Sequence, residues 1–215
     1  MKPLQRYLVF GLPRVEGWLD PYSAEFIGTL AEIQTAASYD GAVGEIGVHH
    51  GKLFLVLLLT ASPTERAFAI DVFEQQHLNV DQSGGGDRAR FLTNIRQWRG
   101  DPEDLLIIAR SSLEVTPDDI VSHCGRVRLI SIDGGHTEQC TLNDLLLAER
   151  VVTDQGVAVI DDYFNPDWPD VSTGVATYFA NPAATLRPFA ISPNKVYLTR
   201  RGNAEFYRTA LRGRF

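Results

Sequence analysis

The chain has 215 residues, 44% of them hydrophobic and 22% charged, an ordinary globular composition that excludes a disordered, collagen-like or coiled-coil protein. Its 20 basic against 27 acidic residues leave a formal net charge of −7, so the broad basic footprint expected of a DNA- or RNA-binding domain is absent. The length suits one buried core and divides poorly into two, so a single domain over residues 1–215 is expected.

In chain order, Met1 to Asp20 has no basic segment leading into an apolar one, so no secretion signal is expected. Phe26, Ile27, Leu30 and Ile33 share one face of a predicted helix. A β-branched run, Ala42–Val48, leads into Lys52–Thr60, apolar nearly all round, as expected of a helix buried directly after the first strand. Ala67–Ile70 is the second strand, and Ser83–Gly86 is a Gly cluster too short to be an interdomain linker. Phe91, Leu92, Ile95 and Trp98 mark the next helix, and Leu105–Ala109 a strand whose unbroken apolar run predicts cover on both faces of a parallel sheet. Val127–Ile132, a helix with Leu142, Leu145 and Leu146 on one face, and Val157–Ile160 complete the alternation. After Asp162, prolines 166, 169, 182, 188 and 193 break the rhythm. Lys195–Thr199 and Glu205–Thr209 then read as two strands of a C-terminal hairpin turning at Arg201-Gly202-Asn203. The fold class is α/β, doubly wound and Rossmann-like, with that hairpin as an antiparallel edge.

Cys124 and Cys140 cannot form a disulfide framework and belong to no zinc-type spacing, so they read as small hydrophobes in a reducing cytoplasm. The longest apolar run, Leu53–Leu59, falls far short of the roughly 20 residues that cross a bilayer. A cytoplasmic protein without membrane or nucleic-acid partners is expected.

Ligands of open α/β sheets bind outside the carboxyl ends of the strands, and here each strand closes on polar residues. The first runs into Glu45-Ile46-Gly47-Val48-His49-His50-Gly51, a turn whose glycines either allow a close ligand approach or serve only a tight strand-to-helix turn. Asp71, 26 residues after Glu45, suits bidentate acceptance from ribose hydroxyls, and Ser111 or Ser112 after the third strand suits an adenine edge or a turn cap. His49 stands where a dinucleotide fingerprint wants glycine, and Leu53 where a P-loop wants Ser or Thr, so an adenosine ligand without a phosphate cradle fits better. His49 and His50 are weaker candidates for substrate contact.

The fourth and fifth strands end in Asp133-Gly134-Gly135-His136 and Asp161-Asp162-Tyr163. Converging carboxylates repel, and the usual remedies are a raised pKa or a divalent cation; oxygen donors favour Mg2+, with Mn2+ or Ca2+ also suited. Asp133, Asp161 and Asp162 are therefore the expected metal ligands, the alternative being separate solvated turn residues. His136 sits at the mouth of the site and, with the ordinary imidazole pKa of about 6.5, suits proton removal from a hydroxyl; the alternative is a helix-start residue.

This ordered set, Glu45-Ile-Gly-Val-His-His-Gly51, Ile70-Asp71, Ile132-Asp-Gly-Gly-His136, Asn143-Asp144-Leu145 and Gly156-Val-Ala-Val-Ile-Asp-Asp-Tyr163, resembles the class I S-adenosylmethionine-dependent methyltransferases. More narrowly it resembles the small-molecule O-methyltransferases that include metal-dependent macrolide-sugar and aminocoumarin-sugar enzymes, over roughly residues 17 to 165. The resemblance implies a seven-stranded sheet, S-adenosyl-L-methionine held by Glu45, Gly47, Gly51 and Asp71, and Mg2+ on Asp133, Asp161 and Asp162; Ser111, from the strand-end reading, and Asp133 are the further expected cofactor contacts. One departure stands out: those sugar enzymes carry a second aspartate, used as general base, where this chain has Gly135. Proton removal then falls to His136, to the metal, or to no residue. Segments 1–22 and 163–194 suit a lid and an acceptor-pocket wall, or ordinary loop packing or a subunit interface, and a homo-oligomer is plausible. The rival readings are a metal-dependent hydroxylase-like or hydrolytic enzyme on the same scaffold, and a non-catalytic cofactor-binding accessory protein.

Overall fold

The computed structural model describes residues 1–101 and 104–215. Its elements are α1 (Pro3–Arg6) with a π turn (Tyr7–Gly11), α2 (Pro21–Ala36), β1 (Ala42–Ile46), α3 (Lys52–Thr60), β2 (Ala67–Asp71), α4 (Arg88–Trp98), β3 (Leu105–Ala109), α5 (Pro117–Cys124), β4 (Val127–Ile132), α6 (Glu138–Val151), β5 (Val152–Ile160), α7 (Pro169–Ala180), β6 (Leu186–Ser192), β7 (Lys195–Arg200) and α8 (Ala204–Arg212). Several helix starts are written in the sequence. Asp20 accepts from the Ser23 N–H ahead of α2, and Thr116 with Asp119 closes a capping box on α5, each followed by a proline in the first turn.

The strands form one seven-stranded sheet in the order β3-β2-β1-β4-β5-β7-β6. β1 pairs in parallel with β2 on one side and β4 on the other, so the direction of winding reverses between β1 and β4. Only β7 runs antiparallel, to both β5 and β6. Alternate strand residues feed two cores. Val43, Ala69, Leu129, Val159 and Tyr197 pack beneath α2, α3, α4 and α8, whereas Ile46, Ile70, Ile130, Ile132 and Ile160 pack beneath α5, α6 and α7. At the amino end of β4, Arg128 is buried in the first core's layer, where its guanidinium bonds Glu65, Gln34 Oε1 and the Thr60 carbonyl.

Two expectations change. The hairpin exists but is made by β6 and β7, and Glu205–Thr209 is helical. A five-residue window suits either period, but Ala204, Tyr207 and Leu211 continue one helical face, and that face is buried. β3 is the sheet's edge, yet its apolar run is covered on both faces as expected, Leu105, Ile107 and Ala109 packing against one core and Leu106 and Ile108 against the other. Leu146 points outward from the α6 stripe. The segment 163–194 carries α7 and β6, and among the described residues no helix is long and apolar enough to cross a membrane.

Candidate active site

The winding reversal opens a crevice at the carboxyl ends of β1 and β4, the place where such sheets bind ligands. Here the end of β1 is tied to a neighbour on each side: the Gly47 N–H donates to the Ile70 carbonyl of β2 at 2.8 Å, and the Asp133 N–H, just after β4, to the Ile46 carbonyl at 2.8 Å. Gly47 has φ +83°, and a Cβ there would lie 1.7 Å from the Asp133 carbonyl oxygen, so only glycine closes the turn. Gly51 also has positive φ, but a Cβ on it would meet Phe91; it seats α3 against α4 and does not line the crevice.

A cavity of about 640 Å³ fills the crevice, well within the size range of small-molecule sites. Gly47, Asp71, Ser111, Ser112 and Gly134 line one half. Asp71, at the tip of β2, accepts from the His49 N–H at 2.8 Å and the Phe73 N–H at 2.6 Å. Burial outweighs those bonds and pushes its carboxyl pKa up. Ser111 lines the wall and also caps the short turn that follows it, while its neighbour Arg110 is tied to Asp119 at 2.6 Å. Glu45 is placed behind the wall, buried beneath the cavity with one carboxylate oxygen unpartnered. Burial, with Asp133 close by, raises its pKa well above the usual range.

The other half is the acidic end. Asp133, His136 and Asp162 each offer an atom within 4.8 Å of the others. His136 Nε2 lies 2.9 Å from Asp162 and 3.6 Å from Asp133, while Nδ1 lies 2.8 Å from Asp81 Oδ2, which also accepts from the His136 backbone N–H. Nε2 is buried and off the direction of an aligned hydrogen bond, so its contact with Asp162 is an ion pair aimed into the cluster. The imidazole stacks on Trp168, with ring centroids 4.6 Å apart and planes 18° from parallel. Burial disfavours the imidazolium, yet Asp133, Asp162 and Asp81 prevail and hold its pKa at about 10. Asp162 is buried too, but His136, Asn165 and Asn194 draw its pKa down to about 2. The cluster thus carries its own counter-charge, and His136 differs from the neutral-pH base expected of an unperturbed ring.

Asp161 does not join Asp133 and Asp162. Its carboxylate is paired with Lys195 at the start of β7, and both side chains are buried. Desolvation pulls Lys195 toward neutrality, but Asp161, Asp133 and Glu45 keep it protonated. The expected three-carboxylate set is therefore two carboxylates with an imidazole nitrogen between them; the carboxylate oxygens are hard donors that fit a divalent cation, which would replace the imidazolium proton as their counter-charge. Gly135 has no room to spare: a Cβ would lie 3.0 Å from Cys140 Sγ and 3.3 Å from Val80.

Asp81 and Lys195 escaped the sequence reading. Asp81 lies 55 residues from His136, in the loop before α4 beside the Gly cluster, with no motif around it. Lys195 was legible only as the first residue of a strand. His49 and His50 stack on each other 3.7 Å apart, and His49 alone of the two lines the cavity.

Residues 45–163 match the family model described as a methyltransferase domain. Among solved structures, the chain is similar to the O-methyltransferase NovP, with 17% identity, a TM-score of 0.69, and coverage of 83% of this chain and 79% of that one. It is similar to CalS11, described as a TDP-rhamnose 3'-O-methyltransferase of calicheamicin biosynthesis, at 16% identity and TM-score 0.62 over 93% of each chain. It is also similar to the O-methyltransferase TomG from Streptomyces achromogenes, involved in tomaymycin synthesis and solved with SAM, at 13% identity and TM-score 0.58 over 93% of this chain and 87% of that one. These likenesses are to the fold. No curated protein matches the chain significantly.

Proposed function

Because this chain belongs to the methyltransferase-domain family, over more than half its length, we propose that it methylates a hydroxyl of a small-molecule acceptor, using S-adenosyl-L-methionine and a divalent cation. The observation that carries the reading is one continuous cavity. It joins the Gly47 turn and Asp71, suited to an adenosine cofactor, to the Asp133, His136 and Asp162 cluster, suited to an acceptor hydroxyl. The O-methyltransferase activity named for NovP, CalS11 and TomG, and the SAM present with TomG, support the same choice.

S-adenosyl-L-methionine supplies the sulfonium methyl and leaves as a thioether. Asp71, its oxygens already oriented by two backbone N–H groups, takes the ribose hydroxyls; Ser111 meets the adenine edge. Gly47 lets the β1 backbone lie along the methionine portion. Asp133 and Asp162 would hold the cation with His136 Nε2 beside them, and a cation there supplies Lewis-acid stabilisation of the acceptor's alkoxide or phenolate. Asp161 stays with Lys195, whose charge offsets the carboxylates beneath the site. Asp81 anchors Nδ1 so that Nε2 faces the hydroxyl, the atom to which the acceptor's proton passes once Asp133 and Asp162 no longer hold a proton there. Holding acceptor and methyl donor in line in one cavity accounts for most of the rate. Segments 1–22 and 163–194, through Trp18, Leu19 and Trp168, wall the acceptor side.

Calorimetric titration with S-adenosyl-L-methionine tests the cofactor assignment, and its failure to bind with Mg2+ present would refute the reading. Turnover of a vicinal dihydroxy compound is expected to fall at least tenfold on chelation and in Asp133→Ala. Turnover indifferent to chelator would refute the cation.

A further inference from the structure

The acceptor end of the cavity carries a charge balance that bears on what it accepts. Five carboxylates line it, Asp20, Asp133, Asp161, Asp162 and Asp167, against two cationic side chains, His136 and Lys195. Both cations are held by internal partners, Lys195 by Asp161 and His136 by Asp81 and Asp162. Arg110, farther along the wall, is held by Asp119. A divalent cation at Asp133 and Asp162, with His136 neutral to receive the acceptor's proton, leaves the balance two charges negative. Asp20 and Asp167 stand apart from that cluster, on the segments that lead into α2 and α7, and neither forms an ion pair among the described residues.

The same end offers a phosphate nothing to bind. Phosphate recognition needs free Arg or Lys, or the open N–H groups of a helix start. Three helix starts border the cavity: α2 and α7 begin with Pro21 and Pro169, which have no N–H, behind Asp20 and Asp167, and at α6 Thr137 takes the Cys140 N–H while Glu138 adds a negative charge in the first turn. Two indole rings do line the wall: Trp168, stacked on His136, and Trp18, 76% exposed at the rim. Indole faces attract ammonium groups, the more so beside carboxylates.

Resting on the methyl-transfer reading above, we infer that the acceptor is a hydroxylated compound bearing a protonated amine, received by Asp20, Asp167 and the two indoles, and not a phosphorylated or nucleotide-linked one. This separates the chain from the nucleotide-sugar chemistry named for CalS11. The hydroxyl is presented to the Asp133, His136 and Asp162 cluster while the amine stays at the mouth.

The test uses two catechols with the same ring and vicinal hydroxyls but opposite side-chain charge, dopamine and 3,4-dihydroxyphenylacetate, together with a dTDP-sugar. Each is titrated into the full chain saturated with S-adenosylhomocysteine and Mg2+, and methylated product is followed by mass spectrometry with S-adenosyl-L-methionine. Dopamine is expected to bind at least tenfold tighter than its acidic counterpart, with no detectable dTDP-sugar binding. The double variant Asp20→Asn, Asp167→Asn should shrink the dopamine preference at least threefold, with S-adenosyl-L-methionine affinity as the control for folding. Equal or tighter binding of the anionic catechol or the dTDP-sugar overturns the inference, as does a preference unchanged in the double variant. Failure of both catechols while the cofactor binds overturns the inference and spares the methyl-transfer reading. Failure of the cofactor itself overturns that reading.

Discussion

Replacing Asp81 tests whether the loop before α4 orients the imidazole at the site. Oδ2 accepts from both the His136 backbone N–H and ring Nδ1, and Oδ1 accepts from the Ser83 N–H at 2.9 Å. The side chain is only 6% exposed. Asp81→Asn keeps the shape but replaces one acceptor oxygen with a donor. Whichever way the amide faces, at least one N–H group meets an N–H. Hydrogen bonds to charged groups contribute about 1.5–3 kcal/mol each and are not additive, so Asp81→Asn should cost about 1–3 kcal/mol and Asp81→Ala about 2–4 kcal/mol in urea unfolding. Burial raises the Asp81 pKa, but the bonds from His136 and Ser83 lower it more, leaving it below its usual value. Its stabilisation is therefore present at neutral pH and fades as pH falls through the carboxylate range, so wild type and variant should converge under acid. Losing a residue that orients a site imidazole typically costs 10- to 100-fold. We expect kcat for a catechol acceptor to drop by that order, with the KM for S-adenosyl-L-methionine unchanged and the His136 ring nitrogens shifted in 15N NMR. A kcat within twofold of wild type and an unmoved His136 spectrum would refute the orienting role.

Asp144 is buried on α6 with Oδ2 unpartnered, and burial lifts its pKa from 3.8 to about 6 despite bonds from Ser112 and Asn143. The folded state then binds a proton that the unfolded chain has released, so stability should fall as pH rises from about 4 to 6, by up to ~3 kcal/mol; Asp144→Asn should flatten that slope, and an unchanged slope would exclude the assignment. Arg128→Ala leaves Glu65 buried and unpaired, and should cost about 3–5 kcal/mol by chemical denaturation; a loss under about 1 kcal/mol would mean that the pair is not buried as described. Gly47→Ala forces a Cβ against the Asp133 carbonyl at positive φ and should cost ~3 kcal/mol or more together with cofactor affinity; a variant with wild-type Tm and affinity would contradict the turn geometry.

Much of the site was readable because its parts sit at strand ends. Gly47, Asp71 and Asp133 follow apolar runs directly, Ser111 one residue later, and an open sheet places all such ends on one side. The hairpin was misplaced by one strand because β6 is interrupted by Pro188 and shifts register there, which hides its period, while Glu205–Thr209 alternates over too short a window to betray its helix. Side-chain partners were not readable. Asp161 and Asp162 are neighbours in sequence, yet one faces Lys195 and the other His136.

The sequence by itself determined the alternation of apolar strands with helices, a glycine-bearing turn after the first strand, and carboxylates at the ends of the fourth and fifth. The tertiary structure decided which charges meet. Period and spacing act along the chain, over a few residues, and they select elements. Pairing acts through space in a low-dielectric interior, where Asp81 and Lys195 arrive from distant segments to turn a row of carboxylates into a cluster with its own counter-charges.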